Sequence, residues 1–151
     1  MECPYCHKPT TIVTNSRTTK INTQIWRRRK CLSCKSIFTT HESIDLSHIL
    51  IMKKTGKAQI FSSIKLYSGI FHASTITKIP HREMFIQKIS REIEAKILSL
   101  KKEKFTSDEI ADIVLHTLRK RHIPTFIRFL IFCKELTTEK QLKQAFVKYL
   151  N

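Results

Sequence analysis

The chain has 151 residues, enough for one average domain or two small ones. Twenty-eight Lys and Arg stand against 12 Asp and Glu, a formal net charge of +16. No apolar run is long enough to span a bilayer, so the reading excludes a membrane span. A strongly basic chain suits a polyanionic partner, because neutralising phosphates releases counterions. A lysine- and isoleucine-rich composition with only two glycines also fits a codon-biased proteome, so charge by itself does not decide.

The first element is a metal motif. Cys3-x-x-Cys6 and Cys31-x-x-Cys34 are separated by 24 residues, room for a short three-stranded sheet between two tight turns. Two such pairs supply four thiolates to one ion, the tetrahedral preference of Zn²⁺, and leave no position open for a water. The motif therefore predicts structural zinc rather than a catalytic metal. Two disulfides in a secreted protein are the alternative, disfavoured because Cys3 comes too early to follow a signal peptide. Reduced cysteines without a targeting segment predict a cytoplasmic protein. A zinc deaminase would need His-x-Glu ahead of Pro-Cys-x-x-Cys, and none occurs. His7 and His41 read as surface residues of the turn and its flanking strand.

Residues 1–45 carry eight basic and three acidic residues and few large apolar ones, so without a metal they could not bury a useful core. Thr11–Thr14, Gln24–Arg29 and Ile37–Glu42 read as short strands, and the polar stretch Ser16–Thr23 as a loop. This is a zinc ribbon. Directly before its second turn runs Trp26-Arg27-Arg28-Arg29-Lys30. Side chains alternate along a strand, so these cations project to both faces. Together with Arg17 they predict a nucleic-acid-binding surface that pairs with phosphates and sends an Arg to a base edge. The alternative is a solvated edge strand kept from aggregating by charge. Trp26 could stack on a base or pack on the small ribbon core.

Beyond residue 46 the texture changes, with 20 basic and nine acidic residues and apolar residues at helical spacing. Ile49–Met52 and Ala58–Phe61 flank Lys53-Lys54-Thr55-Gly56-Lys57, a hairpin whose Gly56 supplies positive φ. Ser62 is suited to cap a helix to about Ala73. After Pro80 a helix is expected from about His81 to Leu100, with Phe85, Ile89, Ile93 and Ile97 in a stripe. Thr106 and Glu109 have the spacing of a capping box for a helix to about Lys120. Pro124 opens another through Glu135, and Thr138 caps a last one to Leu150. These stripes are ordinary core. The expected fold is α+β: a small all-β zinc ribbon (1–45), a mainly helical domain with a β-hairpin lid (46–136), and a C-terminal helix or tail (137–151).

The two halves together resemble the NrdR-type transcriptional repressors of ribonucleotide reductase genes, a zinc ribbon followed by an ATP-cone, divergent in the cone. Cys3-Pro4-Tyr5-Cys6 is similar to the family's Cys-Pro-Phe-Cys, and Asn15-Ser16-Arg17 to its Asp-Ser-Arg. Arg27–Cys34 resembles its arginine run into the second turn, and Phe38-Thr39-Thr40-His41-Glu42 its Phe-Thr-Thr-Tyr/Phe-Glu. Ile51-Met52-Lys53-Lys54-Thr55-Gly56 resembles the cone's Val-Val-Lys-Arg-Asp-Gly, and Phe61 and Lys65 match its Pro-Phe-Asp-x-x-Lys-Leu. Phe126-Ile127-Arg128-Phe129 is similar to its Tyr-Val-Arg-Phe.

The resemblance implies a homo-oligomeric repressor that binds paired operator boxes in double-stranded DNA, with ATP or dATP as effector setting its assembly. Carried onto this chain, it implies that Ile51, Met52, Lys53, Lys54, Gly56, Phe61 and Lys65 form the nucleotide site. Lys53, Lys54 and Lys65 would pair with triphosphate oxygens, the last beside a helix N-terminus that favours anions. Several positions depart from the family: Thr55 for Asp, Lys54 for Arg, Gln59 for Glu, Ser62 for Asp or Asn, Phe126 for Tyr and Cys133 for Tyr. They remove possible hydrogen bonds to ribose or base and so bear on the choice between ATP and dATP. Asn15 for Asp removes a negative charge near the arginines, and the tail is cationic where many members are acidic. An RNA- or polymerase-associated ribbon module whose helical half binds no nucleotide is the alternative. An enzyme is disfavoured, because no Walker loop, no paired carboxylates near the basic run and no open metal site are present.

Overall fold

The computed structural model describes residues 1–18 and 24–150, in two compact units, Met1–Asp45 and Leu46–Asn151. The first is a three-stranded antiparallel sheet in the order β1-β2-β3: β1 Thr11–Thr18, β2 Gln24–Cys31 and β3 Ile37–Ser43. Ser16 and Arg17, expected in a loop, instead continue β1 opposite Arg27 and Trp26. Backbone pairing with β2 holds them extended although their side chains are polar and exposed. The rest of the expected loop, 19–23, lies outside the described residues. A bulge at Thr14 shifts the register between Val13 and Asn15, and the Thr14 hydroxyl donates to the Arg28 carbonyl at 3.1 Å.

The second unit sets a small sheet against a helical bundle. Its strands are β4 Leu50–Met52, β5 Ala58–Ile60 and β6 Lys104–Thr106, in the order β5-β4-β6. β4 and β5 form the expected hairpin, closed by a turn in which Gly56 has φ 79° and donates to the Lys53 carbonyl at 2.9 Å. β6 is an addition to the expected fold. It pairs parallel to β4, with Phe105 opposite Ile51, and buries both.

The helices are α1 Ser63–Ser74, α2 Arg82–Ser99, α3 Ser107–Arg121, α4 Ile123–Lys134 and α5 Glu139–Leu150. Their starts follow from local chemistry. The Ser62 hydroxyl accepts the Lys65 amide at 3.3 Å. Thr106 and Glu109 close a reciprocal capping box, at 3.1 Å and 2.7 Å. At α4 the cap is the His122 side chain, which accepts from the Thr125 amide, with Pro124 in the first turn. α1 packs on α2 and α4, and α3 on the same two. Ile70, Ile86, Ile93, Ile97, Leu115, Leu118 and Leu130 are fully buried between them. No described helix is long and apolar enough to cross a membrane.

Candidate functional site

The four ribbon cysteines converge. Cys3 Sγ lies 3.6 Å from Cys34 Sγ, and Cys6 Sγ 3.7 Å from Cys31 Sγ. All four sulfurs lie within 4.8 Å of one another, the one such cluster among the described residues. A tetrahedral ion with Zn–S near 2.3 Å sets sulfurs about 3.8 Å apart, so the donor set fits zinc, whereas a disulfide would need about 2.05 Å. The turns are built alike. The Cys3 amide donates to the Lys8 carbonyl at 3.0 Å and the Cys31 amide to the Ser36 carbonyl at 2.9 Å. The residue after each second cysteine, His7 or Lys35, takes positive φ, at 57° and 64°. Both side chains are exposed and neither joins the sulfurs.

The electrostatics agree with a cation. The Cys34 and Ser33 amides hold the Cys31 thiol down at about 6. At Cys6 the Lys8 amide also lowers the thiol, but burial and the neighbouring sulfurs outweigh it and push it up to about 11. Four thiols this close cannot all ionise alone, and a divalent ion lifts that restriction.

The strand register divides the basic run between two faces of the ribbon. Arg28 shares a face with Trp26 and Lys30. Across the sheet, Arg17 and His41 stand opposite Trp26, and Asn15 and Thr39 opposite Arg28. Arg27 and Arg29 are on the other face, and both are tied down. Arg27 Nε lies 2.8 Å from Glu42 Oε1, and Arg29 Nε donates to Thr40 Oγ1 at 3.1 Å. Arg28 is exposed and Trp26 half-buried.

In the second unit a cavity of about 560 Å³ opens between the hairpin and helices α1, α3 and α4. Of the expected nucleotide residues, Ile51, Lys53, Lys54, Phe61 and Lys65 line it. Ile51 and Phe61 are buried at its base, and the three lysines are exposed around it. Lys65 Nζ donates to Gln59 Oε1 at 3.2 Å. Met52 and Gly56 fall outside the lining: strand alternation turns Met52 away from Ile51, and Gly56 shapes the turn. Cys133 lines the cavity half-buried, and burial pushes its thiol up to about 11.

Sequence reasoning did not find Asp108 and Lys134 on the cavity's far wall, nor Asp112 beside them. Lys134 Nζ lies 2.8 Å from Asp108 Oδ1 and 3.2 Å from Asp112 Oδ1, and Lys54 Nζ 3.6 Å from Asp108 Oδ2. Lys134 beside Asp108 holds that carboxyl below the usual carboxylate range. These residues sit on three elements with no common motif; the four-residue spacing of Asp108 and Asp112 on α3 was the only local signal.

Comparison with known proteins assigns both units. Residues 1–42 match the N-terminal domain of NrdR-like transcriptional repressors, and residues 49–139 match the ATP cone domain. The transcriptional repressor NrdR of Gloeothece citriformis is 38% identical over 85% of this chain and 71% of its own. The chain belongs to the NrdR family. The NrdR of a Picosynechococcus species is 36% identical over 85% of this chain and 70% of its own, and that of a Thermoanaerobacter species 33% over 85% and 80%. The ribbon with its four close cysteines and the cone are thus the family's two parts in the family's order.

Proposed function

We propose that this NrdR-family protein is a zinc-dependent, nucleotide-responsive repressor of ribonucleotide reductase genes, acting by binding rather than by catalysis. Zinc held by Cys3, Cys6, Cys31 and Cys34 supports the ribbon. The ribbon presents Arg17, Arg28 and Lys30 to the phosphates of an operator, with Arg27 and Arg29 behind them. ATP or dATP enters the cavity of the second unit, its phosphates near Lys53, Lys54 and Lys65 and its base toward Ile51 and Phe61. Nucleotide binding alters how copies of the chain assemble, and so how many ribbons reach paired operator boxes together. Such coupling requires the nucleotide to favour one assembly by a few kcal/mol.

The observation that carries this reading is the cavity. Three lysines at the rim of an apolar-based pocket of nucleotide size, in a chain whose other unit is a basic ribbon, suit a polyphosphate with a planar base. The test is calorimetric titration of the zinc-loaded protein with ATP and with dATP, with the mass of each complex from light scattering. Saturable binding and different masses are expected. No binding of either would reduce the protein to a zinc-ribbon nucleic-acid binder with a helical scaffold.

A further inference from the structure

The C-terminal helix α5 begins at Glu139, where the match to the ATP cone ends. Its anchor is Tyr149, the buried aromatic near its end, with Ala145 and Phe146 half-buried at the margin of the core. The Tyr149 hydroxyl donates to Asp112 Oδ1 at 2.5 Å, and its ring meets His116 edge-on at 6.4 Å. Burial and Asp112 push that hydroxyl up to about 12, so it remains a donor at neutral pH.

The oxygen that accepts from Tyr149 is the one Lys134 reaches at 3.2 Å. Lys134 also contacts Asp108, and Asp108 faces Lys54. Lys54, Asp108 and Lys134 line the cavity, whereas Asp112 and Tyr149 do not. Lys134 is therefore the group in this chain of contacts that lines the cavity and also touches the carboxylate holding the anchor of α5. Burial works against its charge, and Asp108 and Asp112 more than offset that, holding its ammonium well above the usual range.

We propose that Lys134 is a fourth phosphate-binding cation of the cavity and that a nucleotide and α5 compete for it, so that binding the nucleotide loosens α5. A polyphosphate brings several negative charges to a wall already carrying Asp108, and it draws the ammonium toward itself. Asp112, whose side chain is part-exposed, then loses its counter-ion and turns out to water. The buried Tyr149 hydroxyl loses its acceptor with it, which weakens the hold on α5. The apolar side of α5 (Phe146, Tyr149) and the surface under it become available together. The competition is reciprocal: whatever loosens α5 must tighten nucleotide binding by the same factor.

This inference rests on the nucleotide reading of the cavity, and one experiment separates the two. Amide hydrogen exchange of residues 140–150 is followed in the full zinc-loaded chain, without ATP and at calorimetrically verified saturation. Exchange in α5 is expected to accelerate on the order of tenfold in the wild type. In Lys134→Gln it is expected not to respond to ATP, although the remaining lysines still bind it. Tyr149→Ala is expected to raise ATP affinity on the order of fivefold, by reciprocity, an effect that simple loss of packing would not produce. Unchanged or slower exchange at saturation overturns the competition while leaving the cavity a nucleotide site. Absence of calorimetric binding overturns both.

Discussion

The two units reach order by different routes. Among the described residues of 1–45 the only buried apolar-class positions are Cys3 and Cys31, two of the metal-binding cysteines. The second unit buries a continuous aliphatic and aromatic cluster from Leu46 to Tyr149. A sheet solvated on both faces has little hydrophobic free energy, so an ion held by these cysteines would supply what a core does. That difference frees the ribbon's surface. Strands that need not bury one face can carry Arg and Lys on both, which is what β2 does.

The sharpest way to break this comparison is to remove one thiolate. Cys31→Ser is expected to abolish zinc binding and unfold residues 1–45 while the helical signal in circular dichroism persists. Cooperative loss of all helix would show that the ribbon is not independently organised. The converse change attacks the core. Leu118 is fully buried in the middle of the bundle, and Leu118→Ala is expected to cost about 2–5 kcal/mol in urea unfolding of the helical unit. The bound zinc content should not change.

What was legible in the sequence follows the same division. Cysteine spacing fixes the ribbon, because ligand chemistry is local and strict. The capping pair Thr106 and Glu109 and the turn at Gly56 are also local and could be read directly. β6 could not, since Lys104-Phe105-Thr106 is too short to show alternation and its partner β4 lies some fifty residues earlier. Ser16 and Arg17 misled for the opposite reason: polar residues suggest a loop, yet a strand solvated on both faces needs no apolar period. The cluster of Lys134, Asp108, Asp112 and Tyr149 joins α3, α4 and α5, and only tertiary packing brings it together.

The ribbon's two faces allow a finer test. Arg28 is exposed beside Trp26, whereas Arg29 on the reverse face is held by Thr40. Arg28→Ala is expected to weaken operator binding and to lower the slope of log K against log salt by about one unit, the loss of one phosphate contact. Arg29→Ala is expected to leave that slope nearly unchanged. Equal losses from both would mean that DNA engages both faces, and that the tie to Thr40 breaks on binding.

The smallest effect concerns charge in the unit that does have a core. Lys102 beside Glu109, with the Thr106 amide, holds the Glu109 carboxyl below its usual 4.5. A carboxyl depressed in the folded state adds stability above its unfolded pKa and loses it as pH falls through the folded value. Glu109→Gln keeps an oxygen to accept from Thr106 but removes the ion pair with Lys102. The variant should therefore melt slightly below wild type at pH 7, and the gap should close as acid protonates Glu109. Helical ellipticity is the proper readout, because acid also strips metal from thiolates and unfolds the ribbon in both proteins alike. A gap that persists in acid would assign the whole effect to cap geometry. The helical unit would then owe nothing to this surface pair, as expected where a core already carries the fold.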